Sequence, residues 1–317
     1  MPSTSSDHRR HPLPLCWLRS LLLLTTACTF AAAPQRARPP LPLPGRQLPT
    51  AVAEPLLVEC HQLADGRSHG VLQAGSERVR FQLWRQGQQR PLVLLVPILA
   101  GGEDLMDQVA NRLQARGYDT AFCARVGPAL KAPQRGPELD DLFRRTVLHQ
   151  RLLLRWLRNP PPGTTPPPAV FALGMSLGGM VATVLAAQEP ELAGTAILMS
   201  GGGVADLVVT SSEPRVQAWR SWRHATDGVG DDHLRWELGA YLQHEPLRYA
   251  PAIATDKVLL VTGTLDTVVP KWHQDLLWEA LGRPARLQLP LGHYSAALAI
   301  DAILDAAAQH FDRCPRP

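Results

Sequence analysis

Short apolar runs alternate along the chain with segments of helical character. Runs with the length and composition of buried strands cover residues 91–96, 120–123, 169–173, 194–200, 257–262 and 285–289. Segments that are rich in alanine or carry apolar residues at helical spacing cover residues 103–116, 137–158 and 179–188. Because strands and helices alternate, the pattern predicts parallel βα units rather than a sandwich of two sheets.

Two further segments depart from that pattern. Residues 78–84 alternate polar and apolar side chains, which predicts a half-exposed antiparallel strand at an edge of the sheet. Residues 201–249 delay the next strand, and within them Glu213-Pro214 and Asp231-Asp232 each suit the start of a helix. We therefore expect a small helical insertion there.

The first fifty residues resemble an export signal followed by a linker. Arginines near the start precede a short leucine-rich stretch that is too short to span a membrane. Two processing routes fit residues 1–33: cleavage after Ala31-Ala32-Ala33, or lipoprotein processing with acylation of Cys28. The prolines of residues 34–50 predict an extended linker, which leaves 51–313 as the folded domain. We expect an exported protein that is periplasmic, secreted or anchored to a membrane through Cys28.

The charge distribution argues against nucleic acid as a partner. The formal net charge is +4, but six arginines and one aspartate give residues 1–50 a charge of +5, which leaves −1 for the remainder. The basic character therefore belongs to the N-terminal segment, and the domain lacks the basic footprint of a nucleic-acid-binding surface.

The strongest chemical signal is the sequence Gly174-Met175-Ser176-Leu177-Gly178. It stands between a predicted strand and a predicted helix, where a tight turn presents a serine hydroxyl above the sheet edge. Small residues on either side leave room for the crowded backbone of such a turn. The alternative is a turn of small residues without chemistry.

A serine nucleophile needs a base, and the base needs an orienting acid. Asp266 follows the predicted strand 257–262, and His293 follows the strand 285–289, so both lie beyond the carboxyl ends of strands. Taken singly, Asp266 suits a turn or a helix cap, and His293 a surface position. His244 and His273 are competing bases, but neither stands in a loop directly after a strand.

These motifs carry a family resemblance. The turn at 174–179, the stretch 263–266 followed by Val-Val-Pro, and the loop 292–294 make the chain resemble the α/β-hydrolase superfamily over residues 70–311, close to its serine esterases and dienelactone hydrolases. The resemblance implies an α/β fold with a mostly parallel, doubly wound sheet of eight strands. It also implies a triad of Ser176 as nucleophile, His293 as base and Asp266 as orienting acid.

The resemblance determines only one of the two backbone donors of the oxyanion hole. The backbone N–H of Leu177 is one expected donor, and the second comes from the segment after strand 91–96. Many family members carry a His-Gly pair there, whereas this chain reads Val96-Pro97-Ile98-Leu99. Because Pro97 has no N–H, the second donor is Ile98 or Leu99.

In this fold, an insertion at 201–249 commonly covers the serine as a lid. Its aromatic residues either line an acyl or aryl pocket or pack as the insertion's own core. The candidates are Trp219, Trp222, Trp236 and Tyr241.

The cysteines suggest one disulfide. An oxidising compartment permits a bond between Cys60 and Cys314, which lie near the two ends of the domain, outside the central sheet. Cys123 ends a predicted core strand and suits apolar packing.

The sequence therefore predicts an exported serine hydrolase that cleaves small-molecule carboxylic esters through an acyl-enzyme. An acyltransferase or peptidase of the same fold, and a non-catalytic binding module, are the alternatives. We expect no cofactor and no metal, because no His, Cys or acid cluster has metal-ligand spacing and Gly201-Gly202-Gly203 lacks the dinucleotide pattern.

Overall fold

The computed structural model describes residues 54–86, 89–99 and 103–315, with Glu103 described by its backbone alone. The strands are β1 (Leu56–Gln62), β2 (Arg67–Ala74), β3 (Glu77–Trp84), β4 (Leu92–Val96), β5 (Asp119–Cys123), β6 (Val170–Met175), β7 (Gly194–Leu198), β8 (Val258–Gly263) and β9 (Ala285–Leu289). The α-helices are α1 (Glu103–Ala115), α2 (Gly136–Arg158), α3 (Leu177–Gln188), α4 (Val204–Thr210), α5 (Pro214–Asp227), α6 (Asp231–Tyr241), α7 (Pro246–Tyr249), α8 (Lys271–Ala280) and α9 (Ile300–Arg313). The predicted signal, Cys28 and the linker lie outside the described residues.

The strands form one sheet in the order β1-β2-β3-β5-β4-β6-β7-β8-β9. The pairs from β5 to β9 are parallel, whereas β1, β2 and β3 pair antiparallel and β3 joins β5 antiparallel. The predicted α/β class with a mostly parallel sheet is confirmed, with nine strands in the described chain instead of eight.

The N-terminal strands correct one expectation. β1 and β2 have no clear apolar alternation, and most of β1 is exposed, so their pairing rather than their side chains defines them. Because β2 lies on its outer side, β3 is an interior strand and the predicted edge position of residues 78–84 is wrong. Its predicted alternation is present, since Val79, Phe81 and Leu83 are buried.

Helices cover both faces of the sheet, as a doubly wound fold requires. On one face α1 and α9 contact each other, and the rings of Tyr118, Phe171 and Phe311 pack together with centroids 4.5–6.1 Å apart. On the other face α2 and α3 contact each other over a leucine-rich core. Within the part of the chain that the structure describes, no helix is long and apolar enough to cross a membrane.

The insertion between β7 and β8 contains α4 to α7 and two short 3₁₀ turns at 250–252 and 255–257. Two of its helices were predicted, at Pro214 and at Asp231. Gly230 caps α6, while Asp231 and Asp232 occupy its first turn, where carboxylates interact favourably with the helix dipole. Apolar residues of α4, α5 and α6 pack with α2 and α3 into a second core.

Candidate active site

Ser176 occupies the sharp turn between β6 and α3. Its φ of 55° and ψ of −122° are unfavourable for a residue with a side chain. The Ser176 N–H donates to the carbonyl of Leu198 in β7 at 2.8 Å, which helps to hold this conformation. The strained turn therefore leaves the hydroxyl at the carboxyl end of the parallel strands.

Two glycines allow the turn to form. A Cβ at Gly174 would lie 2.2 Å from the Gly178 oxygen, and a Cβ at Gly178 would lie 2.4 Å from the Val96 oxygen in β4. Both distances are too short for real atoms, so the close approach of β6, α3 and β4 requires glycine at both positions.

Asp266 lies in the loop after β8, and its side chain is fully buried. Its Oδ1 accepts hydrogen bonds from the N–H groups of Val268 and Val269 at 2.9 and 2.8 Å. Its Oδ2 is 2.8 Å from His293 Nδ1. The two backbone bonds leave the second oxygen free to fix the imidazole.

His293 joins the other two side chains. Its Nε2 is 3.0 Å from Ser176 Oγ, and a carboxylate at Nδ1 can only accept. The proton therefore lies on Nδ1, and Nε2 accepts from the Ser176 hydroxyl. The structure thus brings together Ser176, His293 and Asp266 in the order that proton transfer from a serine requires.

The competing histidines are engaged elsewhere. His244 Nδ1 lies 2.9 Å from Asp140 Oδ1. His273 is fully buried, with Nδ1 2.8 Å from the Gly202 oxygen, and burial lowers its pKa. Neither ring contacts Ser176.

Gln274 holds the loop that carries Asp266. Its side chain is fully buried and accepts from the Gly263 N–H at 3.0 Å, while its amide donates to the oxygens of Gly263 and Val269 at 3.2 and 2.7 Å. One side chain therefore joins both ends of this loop.

The residues expected to supply the oxyanion donors line the same cavity as Ser176. Leu177 is the first residue of α3, so its N–H has no intrahelical partner, and Ile98, Leu99 and Leu177 line one cavity with Ser176. The guanidinium of Arg125 donates from Nη1 to the Ile98 oxygen at 2.7 Å and to the Leu99 oxygen. Arg125 thus holds the segment after β4 through two of its carbonyl oxygens.

A cavity of about 320 Å³ opens at Ser176 and His293. Insertion and α2 side chains form much of it: Leu139, Phe143, Val204, Leu207, Val208, Val216, Leu238 and Leu242. Tyr294 stands at the exposed side and donates its hydroxyl to Glu213. Partial desolvation of the ring, together with the neighbouring Glu213 carboxylate, raises the pKa of Tyr294 to about 12.

The four aromatic residues predicted for the pocket do not line this cavity. Trp219 is 2% exposed and donates Nε1–H to the Gln134 oxygen at 2.9 Å, so it belongs to the insertion's own core. Trp222 packs against Arg135, while Trp236 and Tyr241 are 67% and 47% exposed. The pocket interpretation is wrong for all four because their helices turn aliphatic faces to the cavity.

The predicted disulfide is also wrong, since Cys60 and Cys314 are both free. Cys60 is on β1, whereas Cys314 packs against Gly194 at the start of β7. Six strand-to-strand steps separate β1 from β7, which corresponds to about 29 Å at about 4.8 Å per step. A disulfide needs Cα atoms within about 7 Å. Cys123 is buried, as predicted.

Among the described residues, no three His, Cys, Asp or Glu side chains come close enough to hold a metal ion.

Comparisons with known proteins give the same fold. Residues 155–289 match the model of the prolyl oligopeptidase family, Peptidase_S9. The structure is similar to acetyl xylan esterase 1 from Thermoanaerobacterium sp. JW/SL YS485, with TM-score 0.60, 18% identity and coverage of 81% of this chain and 89% of that chain. The chain belongs to the α/β-hydrolase superfamily. The family match and the fold together make it a serine hydrolase.

Two further structures resemble this α/β hydrolase. An acetyl xylan esterase from Paenibacillus sp. R4 has TM-score 0.60 and 14% identity, covering 82% of this chain and 88% of that chain. Est1E from Butyrivibrio proteoclasticus has TM-score 0.55 and 11% identity, covering 77% and 99% respectively. A search of curated proteins by sequence gave no match.

Sequence reasoning missed several residues of this α/β hydrolase site. Arg125 contacts backbone carbonyls that lie far away in the sequence, and Gln274 contacts the backbone of the loop after β8. Neither residue belongs to a recognisable motif. The apolar face of α4 had a usable signal, because Val204, Leu207 and Val208 are spaced at helical intervals.

Proposed function

We propose that this serine hydrolase is a carboxylic ester hydrolase that works through an acyl-enzyme on Ser176. The observation that carries the proposal is the continuous relay from Ser176 Oγ to His293 Nε2, at 3.0 Å, and from His293 Nδ1 to Asp266 Oδ2, at 2.8 Å. A serine hydroxyl is a weak nucleophile until a base of this kind removes its proton.

In the proposed acylation step, Ser176 Oγ attacks the ester carbonyl carbon while His293 Nε2 takes the hydroxyl proton. The carbonyl electron pair moves to oxygen, which the N–H of Leu177 and that of Ile98 or Leu99 stabilise. One such donor contributes about 3 kcal/mol to the transition state. The C–O bond to the alcohol then breaks, and His293 returns its proton to the departing oxygen.

Deacylation repeats these steps with water. His293 removes a proton from water as the water oxygen attacks the acyl carbon, and the proton then passes to Ser176 Oγ as the acid leaves. Asp266 keeps the imidazole oriented and stabilises its charged form in both halves of the cycle.

Hydrolysis of p-nitrophenyl butanoate by the purified protein tests this function. We expect saturable turnover that falls at least about a thousandfold in Ser176→Ala. A wild-type rate equal to that of Ser176→Ala would contradict ester hydrolysis at Ser176.

The family match makes a peptidase the natural competitor, so a prolyl peptide p-nitroanilide is assayed in parallel. Preference for the anilide over the ester would overturn the esterase assignment while retaining Ser176. Added alcohols test acyl transfer, because a transferase forms new ester at the expense of acid.

We also propose export, supported by the arginine-rich start and leucine-rich stretch of residues 1–33. Intact mass in the native host separates the routes: a diacylglyceryl group on Cys28 indicates an anchored lipoprotein, and a bare chain starting at Pro34 indicates a soluble exported protein. Retention of residues 1–27 would refute both routes.

A further inference from the structure

The cavity at Ser176 has two chemically different sides. Every lining residue contributed by α2, α4, α5 and α6 is aliphatic or aromatic. The rest of the lining includes Gln108 and Arg112 of α1, the exposed Ala297, and Tyr294, whose hydroxyl donates to Glu213 just before α5. The side formed by α2, α4, α5 and α6, called the closed side, is therefore apolar, whereas the remainder, called the open side, includes exposed and polar residues.

The closed side is well buried. Val208 and Val216 are 5% and 6% exposed, and Leu238 is completely buried. These side chains offer no hydrogen-bond partner to a polar group. A hydroxylated or charged substituent placed there would lose its hydration without compensation, whereas a hydrocarbon gains by leaving water.

We propose that this closed side holds an aliphatic acyl chain and that the substrates are esters of medium-chain acids, which rests on the proposed ester hydrolysis at Ser176. The alcohol leaves through the open side, past Tyr294 and Ala297. The acetyl esters named for two structural neighbours would fill little of this space.

The volume limits the chain length. A water molecule in the liquid occupies about 30 Å³, close to the volume of a methylene group, so 320 Å³ accommodates roughly ten such groups. Part of that space must hold the ester and the alcohol. We therefore expect optimal acyl chains of roughly six to ten carbons.

Two ester series with purified wild-type protein test the assignment. Across p-nitrophenyl acetate, butanoate, hexanoate, octanoate, decanoate and dodecanoate, kcat/KM should rise about three- to fourfold for each added methylene and then fall. Across methyl, butyl and octyl acetates, we expect no comparable rise. A rise along the alcohol series alone would place the leaving group in the closed side and overturn the proposal.

A matched pair of variants on α6 locates the chain. Leu238→Ala enlarges the closed side and should move the optimum to longer acyl chains. Trp236→Ala removes a large side chain from the same helix, outside the cavity, and should leave the optimum in place. Equal shifts in the two variants would overturn the proposal.

A third variant covers the case in which Leu238→Ala fails to fold. Val208→Phe adds bulk inside the cavity and should lower kcat/KM for octanoate at least about tenfold more than for acetate. If the wild-type protein hydrolyses none of these esters, acetate included, the proposed function is contradicted. Ser176-dependent hydrolysis without preference for chain length contradicts only the acyl pocket.

A separate set of contacts carries a second inference, on the oxyanion hole. Arg125 donates to the oxygens of Ile98 and Leu99 and, through Nε, to that of Gly127. In a planar trans peptide the carbonyl and the following N–H point in opposite directions. The Leu99 N–H therefore points away from Arg125. Leu99 lines the cavity with Ser176, whereas Arg125 does not.

The neighbouring peptide is oriented differently. A Cβ at Gly178 would lie 2.9 Å from the Pro97 oxygen, so this carbonyl faces the first turn of α3. By the same planarity, the Ile98 N–H points away from α3, where Ser176 and Leu177 lie. We infer that Leu99 supplies the second oxyanion donor and that Arg125 is the positioning residue that holds it.

Arg125→Met tests this role. We expect kcat to fall roughly ten- to hundredfold for every acyl length, with KM within about twofold of wild type, because the oxyanion forms after the substrate binds. Arg125→Lys should restore part of kcat, since an ammonium group also donates to carbonyls.

Lys257→Met is the control. Like Arg125, Lys257 donates hydrogen bonds to two backbone carbonyls, those of Pro190 and Leu192, but it lies far from Ser176. It should keep the wild-type kcat. A loss in Arg125→Met that appears only in KM, or that Lys257→Met matches, would contradict the positioning role, as would a kcat within twofold of wild type.

Discussion

Asp266 Oδ2 contacts His293 Nδ1 at 2.8 Å, although the residues are 27 positions apart on loops after different strands. In Asp266→Asn, the new amide can present N–H groups to Nδ1 and so favour the tautomer that cannot accept the serine proton. We expect kcat to fall roughly a thousandfold or more with little change in melting temperature. A kcat within tenfold of wild type would remove Asp266 from the proposed triad.

The approach of α3 to β4 predicts a severe effect of Gly178→Ala. Because a Cβ would lie 2.4 Å from the Val96 oxygen, we expect the free energy of unfolding to fall by more than about 2 kcal/mol. Gly239→Ala in α6 is the control. It meets open space and should raise the free energy of unfolding by about 0.5–1 kcal/mol, as helix propensity predicts. Urea unfolding measures both, and equal effects would contradict the packing argument.

Glu77 predicts a dependence of stability on pH. Hydrogen bonds from Arg145, with a smaller contribution from His149, lower the pKa of Glu77 from 4.5 to about 2. Because the pKa of the folded state lies below the unfolded value, the stabilisation is complete above pH 4.5 and disappears as the pH falls towards 2.

The difference in unfolding free energy between wild type and Glu77→Gln should therefore be constant from about pH 7 to about pH 5 and shrink below that. Urea titrations at several pH values give this difference. If this difference stays constant down to about pH 3, protonation of Glu77 does not contribute to the loss of stability in acid.

The cysteines should differ in reactivity. Burial raises the pKa of the Cys123 thiol and raises the pKa of Cys314 to about 11, whereas Cys60 is exposed on β1. In the folded full chain, iodoacetamide at about pH 8 should label Cys60 and spare Cys123 and Cys314 until the protein is unfolded. A peptide map showing Cys60 bonded to Cys314 would contradict the strand order.

Local patterns in the sequence predict much of this fold. Parallel strands are buried on both faces, so their apolar runs are visible, and the three candidate catalytic residues each follow such a run. β1 and β2 could not be predicted, because their side chains are mostly polar or exposed and only pairing with neighbours defines them.

The parts of the site that sequence could not predict depend on tertiary contacts. The position of Trp219 in the insertion predicts a pocket residue, but its Nε1–H donates to the Gln134 oxygen, 85 positions away. The choice between Ile98 and Leu99 depends on the directions of the Pro97 and Ile98 carbonyls, and Arg125, in the loop after β5, fixes that of Ile98. Neither relationship has a local sequence signal.

Covalent labelling with an alkyl fluorophosphonate, followed by intact-mass analysis and peptide mapping, tests the central claim most directly. An activated serine attacks phosphorus and displaces fluoride, so the account predicts one adduct per chain, on Ser176, with none in Ser176→Ala and slow labelling in His293→Ala. No adduct on the folded wild-type chain, or an adduct on another residue, would contradict the assignment of Ser176 as the nucleophile.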